Sequence, residues 1–130
     1  QGADHTAGNL PVLDCSEMSA KEIVEASLEA QTQYAASDSL GICIFGRSVT
    51  FTRVEFIVDS LNAAFGTELT TDFFMDLGRE TIELEREFNQ GAGFTSADDE
   101  LPSFFYNEPL APTNKVARFH SDDVNKYSKL

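Results

Sequence analysis

Apolar and small side chains recur at helical spacing in three runs, separated by glycines and polar turns. The first run sets Ala20, Ile23, Val24, Ser27, Leu28, Gln31, Tyr34 and Ala35 on one face of a 3.6-residue repeat. Ser19-Ala20-Lys21-Glu22 has the form of a capping box, so a helix is predicted to start after Ser19. Ser37 and Asp38 are weak helix formers and suit its end. Gly46-Arg47-Ser48 reads as a break, and Thr52-Arg53-Val54-Glu55 as a second capping box. Val54, Ile57, Val58, Leu61, Ala64 and Phe65 then follow helical spacing, with Gly66 as the stop. Thr70 or Thr71 is the predicted cap of the third helix, with Asp72 favourable in its first turn. Its apolar stripe is predicted at Phe73, Leu77, Leu84 and Phe88, with Phe74 and Ile82 beside it. Arg79, Glu80, Glu83, Glu85, Arg86 and Glu87 mostly face water. Gly78 costs stability inside a helix, which points to a close helix–helix approach there.

From Gln90 the pattern changes. Gly91, Gly93, Pro102, Pro109 and Pro112 preclude a long helix, while Phe94, Leu101, Phe104, Phe105, Tyr106 and Leu110 are too apolar for a free linker. An irregular segment packed back on the helices is expected, with a short polar tail from His120 that starts a truncated helix. The predicted fold class is therefore all-α, an irregular helical domain spanning residues 1–130. It divides into a loop over 1–18, a helical core over 19–89 and an irregular packed tail over 90–130.

Composition narrows the function. The chain has 130 residues, enough for one domain with its own core. Its net charge of −13 repels phosphate backbones and anionic lipid, so neither nucleic acid nor a membrane is an expected partner. No apolar run approaches the roughly 20 residues of a membrane helix. The chain opens on Gln1 without a signal peptide and reads as a soluble piece of a longer protein. Cys15 and Cys43 are too few for a secreted disulfide scaffold and form no C-x-x-C pair, which predicts free thiols and a cytoplasmic location.

Candidate chemistry gathers in Asp38-Ser39-Leu40-Gly41-Ile42-Cys43, a break between helical runs that holds a carboxylate, a glycine and a thiol. Gly41 permits positive φ, so Asp38 and Cys43 can turn toward one site. Spacing alone favours Cys43 as a small buried hydrophobe before Ile44 and Phe45, and Asp38 as a turn or cap residue. Asp4-His5 forms a second candidate in the first loop; taken alone it reads as a solvated or capping pair. Asp98-Asp99-Glu100 lacks calcium-loop spacing and reads as solvated loop acids.

Five ordered stretches resemble the C-terminal portion of the tungsten-containing aldehyde ferredoxin oxidoreductase family. They are Gly2-Ala3-Asp4-His5-Thr6-Ala7-Gly8, Asp38 through Cys43 as a D-x-x-G-L-C pattern with Ile for Leu, and Leu61 through Gly66 with Glu68-Leu69-Thr70. Leu77 through Asn89 with Gly93-Phe94, and Asp98 through Pro102 with Pro109-Leu110, complete the set.

The resemblance implies a mostly helical C-terminal domain of an enzyme that oxidises aldehydes to carboxylic acids at a tungstopterin centre. Electrons leave through a [4Fe–4S] cluster to ferredoxin. It assigns Cys43 as the fourth cluster thiolate, Asp38 as a pterin-binding carboxylate and His5 as a proton relay. The implied cofactor is a tungsten or molybdenum bis-pterin with the cluster, and the implied partners are the N-terminal domains of the same enzyme, ferredoxin and an aldehyde. The family's C-x-x-C-x-x-x-C run and its N-terminal pterin-binding region have no counterpart in these residues. The fragment by itself is thus expected to be inactive and to hold no cofactor. Phe104 stands near a position where the family often has Arg, which removes a local ion pair. Uncovered apolar surface would favour association, a homo-oligomer included. The rival reading is a non-catalytic helical protein-interaction module that has lost the cofactor.

Overall fold

The computed structural model describes Leu10 and residues 12–128. Helix α1 spans Ala20–Ser39, and the capping box at its start is formed. The Ser19 hydroxyl accepts from the Glu22 N–H at 3.3 Å, and the Glu22 carboxylate accepts from the Ser19 N–H at 2.8 Å. The break expected at Gly46 is instead compact helical chain: a 3-10 turn over Ile44–Gly46 runs into the short helix α2, Arg47–Thr50. Gly46 stays in right-handed helical geometry, with φ −85°, so it does not interrupt the path.

Helix α3 covers Val54–Phe65 and stops at Gly66, whose φ of +65° takes the left-handed cap conformation that glycine adopts most easily. The second capping box does not form. The Thr52 hydroxyl instead donates back to the Ser48 and Val49 carbonyls, at 2.9 and 3.1 Å, because the preceding turn offers those acceptors first. Helix α4 spans Asp72–Gly91, with Thr71 at its cap position but no side-chain cap bond.

The main seam joins α1 to α4. On α1 it buries Val24, Leu28, Thr32 and Ala36, and on α4 Phe74, Gly78 and Ile82, both rows spaced by four. The stripe on α4 thus differs from the predicted one: Leu84 and Phe88 are exposed, and Phe74 and Ile82 carry the burial. Gly78 explains the choice of face. A Cβ there would lie 2.0 Å from the Thr32 carbonyl oxygen, so the two backbones meet at this point. Ala36, Ile57 and Phe74 form the core, with Leu40, Ile42, Phe51, Val54, Leu61 and Met75 packed against it.

The tail carries a 3-10 turn over Ser96–Asp99 and two short helices, α5 over Phe104–Asn107 and α6 over Ser121–Asn125. It returns to the helices through polar ties. Lys115 donates to Ser16, Arg118 to the Cys15 and Met18 carbonyls, and Arg86 to the Ser128 carbonyl. Its apolar side chains are less covered than their character suggests: Phe94, Leu101, Phe104, Phe105 and Leu110 are all exposed. Glu100 pins α6. It accepts from the Ser121 N–H at 2.9 Å and meets His120 Nδ1 at 3.0 Å, and the His120 ring stacks on Tyr106. The Tyr106 hydroxyl, the Ser121 N–H and the His120 ring hold the Glu100 carboxyl at about 2, below its ordinary 4.5.

Candidate functional site

The Asp38–Cys43 stretch is the C-terminal cap of α1. Gly41 sits at φ +68°, and two backbone bonds close the turn. The Ile42 N–H donates to the Ser37 carbonyl at 2.9 Å, and the Gly41 N–H to the Asp38 carbonyl at 3.0 Å. This is the Schellman pattern, and it requires a residue that tolerates positive φ between the two donors. Ile42, the residue after the glycine, packs against the core and anchors the loop. The spacing of Asp38, Gly41 and Cys43 therefore has a mechanical origin. The carboxylate leaves the last helical turn, the glycine reverses the chain, and the thiol follows directly.

Both candidate side chains reach solvent. The Asp38 side chain is 61% exposed, and Cys43 is an exposed free thiol. The reading of Cys43 as a buried small hydrophobe fails, because the apolar anchoring falls to Ile42 and the chain swings Cys43 outward. Cys15 is likewise a free thiol.

Arg47, within the expected break, pairs with the first of these candidate residues. Its Nη2 donates to Asp38 Oδ1 at 2.7 Å, and its side chain is only 8% exposed. The guanidinium lies over the Tyr34 ring, 4.3 Å from the centroid, and Phe51 flanks it at 5.9 Å. Phe51 in turn meets the Phe74 ring at 6.3 Å, which ties the pair to the core. An aspartate in the last turn of a helix faces the negative end of the helix dipole. Arg47 offsets that repulsion. Tyr34 and Asp38 are four residues apart and share a face of α1, but no spacing in the sequence brings Arg47 to them.

The donors suit the groups that the resemblance names. A carboxylate accepts from amino and ring N–H groups such as a pterin carries, and an exposed thiol can ligate iron as thiolate. Cys43 supplies a single ligand. Among the described residues, no group of three or more His, Cys, Asp or Glu side chains could hold a metal. His5 lies outside the described residues. Asp98 caps its own turn by accepting from the Thr95 N–H at 2.7 Å. Among the described residues, no helix is long and apolar enough to cross a membrane.

Among the described residues the chain packs helices without strands, and with the family match that follows this makes it an all-α domain of an oxidoreductase family. The chain belongs to the aldehyde ferredoxin oxidoreductase family: the family model "Aldehyde ferredoxin oxidoreductase, domains 2 & 3" matches residues 1–129. It is 40% identical over 78 residues to the tungsten-containing aldehyde ferredoxin oxidoreductase of Pyrococcus furiosus, covering 58% of this chain and 12% of that protein. It is 35% identical over 91 residues to the proteins of the same name from Pyrococcus horikoshii and Thermococcus kodakarensis, covering 68% of this chain and 14% of each. The matched region thus spans about an eighth of the curated relatives' length. No solved structure matches the chain.

Proposed function

We propose that this chain forms one wall of the cofactor site in an aldehyde:ferredoxin oxidoreductase. When bound, the tungstopterin centre supplies the two-electron oxidation of an aldehyde and water to a carboxylic acid, releasing two protons as the electrons pass through a [4Fe–4S] cluster to ferredoxin. In this reading Asp38 accepts hydrogen bonds from the pterin, and Cys43 gives the fourth cluster thiolate. His5 serves as a proton relay. The remaining cluster ligands and the first pterin-binding region come from the N-terminal domains of the same polypeptide. The observation that carries the reading is the Schellman-capped turn, which presents an exposed carboxylate and an exposed thiol five residues apart.

The arrangement has a chemical logic. Gly41 holds the two groups to one closed turn, so a pterin on Asp38 and a cluster on Cys43 would be neighbours, and the electron path between them short. The site is assembled between segments of chain, so the isolated fragment is inactive. The test is Cys43→Ser in the full-length protein. Loss of cluster iron and of the reduced-cluster EPR signal is expected; iron content and signal equal to the parent's would exclude the assignment.

The second reading, a helical interaction module without cofactor, draws on the open apolar side chains Phe45, Phe56, Phe65, Leu84 and Phe88. The same surface is equally required of a domain that packs inside a larger enzyme. Iron and pterin measured on the full-length protein separate the two.

A further inference from the structure

Arg47 is a buried cation whose environment does not repay it. Its Nε and Nη1 are enclosed and have no hydrogen-bond partner, while its Nη2 reaches Asp38. An apolar side chain of similar length would fill the space between Tyr34 and Phe51 without that desolvation cost. Unmet buried donors in an otherwise consistent fold mark places where a residue serves something other than stability.

What Arg47 serves is visible in its geometry. The Tyr34 ring, on the same helix face as Asp38, fixes the guanidinium plane at 4.3 Å. The guanidinium then occupies Asp38 Oδ1 at 2.7 Å. Asp38 stands in the last turn of α1, where the helix end would otherwise push its charge away. We propose that Arg47 is a positioning residue: stacked on Tyr34, it fixes the Asp38 carboxylate in the orientation in which its other oxygen accepts from the pterin. The proposal rests on the reading of Asp38 given above.

The test compares Asp38→Asn, Arg47→Met, Arg47→Lys and the Asp38→Asn/Arg47→Met double variant in the full-length enzyme. The readouts are pterin released per polypeptide, tungsten content, and cluster iron as a measure of an intact turn. Arg47→Met should cut retained pterin about tenfold, as loss of a residue that orients a ligand typically does, with iron unchanged. Arg47→Lys should recover part of it, because a lysine keeps the charge but not the flat stack and fork. The double variant should be no worse than Asp38→Asn alone, since Arg47 acts through that carboxylate. Full pterin in Asp38→Asn overturns the reading of Asp38 and the proposal with it. Lost pterin in Asp38→Asn but full pterin in Arg47→Met overturns the proposal alone. So does a further loss in the double variant, or loss of iron in both Arg47 variants, either of which marks a merely structural role.

Discussion

Replacing Gly78 by alanine should destabilise this fold, although the same change in an open helix stabilises it. In an exposed helix interior, Gly→Ala gains about 1 kcal/mol from backbone entropy. At Gly78 the new Cβ would stand 2.0 Å from the Thr32 carbonyl oxygen, 2.8 Å from its carbonyl carbon and 2.9 Å from Thr32 Cγ2. Two of those atoms are backbone and cannot rotate aside. The Thr32 hydroxyl is tied to the Leu28 carbonyl at 2.8 Å, so the side chain is held as well. α1 and α4 must therefore separate by roughly 1 Å, and a gap of that size forfeits a quarter to a half of each dispersion contact along the seam. Overpacking of this kind costs about 1–3 kcal/mol, and an obstructing backbone puts it at the upper end. After the helix-propensity gain, the net loss is about 2 kcal/mol. Urea denaturation followed by far-ultraviolet circular dichroism reads it as a midpoint about 1 M lower, for a slope near 2 kcal/mol/M. Gly91→Ala supplies the internal control: it lies at the end of the same helix with nothing within 4 Å of its Cβ position. That variant should match or exceed the parent. A Gly78→Ala midpoint equal to or above the parent's would show that the seam has room, and would refute the reasoning.

Gly41→Ala forces φ +68° on a residue with a side chain, where space is open but the backbone is strained. A loss of about 1 kcal/mol in thermal or urea unfolding is expected, with Gly41→Asn milder because asparagine tolerates the left-handed region. Glu100 gives a pH signature. Its carboxyl is held at about 2 in the folded chain against an ordinary 4.5, so its contribution is fully present above pH 4.5 and is lost as pH falls through about 2. The amide signals of Ser121 and its neighbours should report α6 leaving in that window, and Glu100→Gln should flatten the response; an unchanged profile would show that Glu100 does not hold α6.

The long periodic elements were legible in sequence, and the reasons are local. The α1 start follows from Ser19 and Glu22, three residues apart; the α3 stop follows from Gly66 alone; the Gly78 approach follows from the cost of glycine in a helix. The misread features depend on groups distant in sequence or on competing acceptors. Thr52 matched a capping pattern, but the carbonyls of Ser48 and Val49 claimed its hydroxyl. The α4 stripe offered several apolar faces, and only the Thr32 backbone decides that Phe74, Gly78 and Ile82 turn inward. At the candidate site, the resemblance named Asp38 and Cys43, whereas spacing alone pointed to a cap and a buried hydrophobe. Arg47 could not, because its meaning lies in a pairing across the helix cap and in the ring beneath it. Likewise, the acids near Glu100 read as solvated until α6 folds back to donate to one of them.

The closed turn at the end of α1 has a dynamic consequence. Asp38 and Cys43 hang from a ring of backbone bonds only a few residues around, clamped on one side by Ile42 in the core and on the other by Arg47. Thermal displacement of α1 must carry carboxylate and thiol together, as two fittings on one bracket. The spacing between their two backbone attachment points is therefore set by the turn itself and not by how α1 packs on α4.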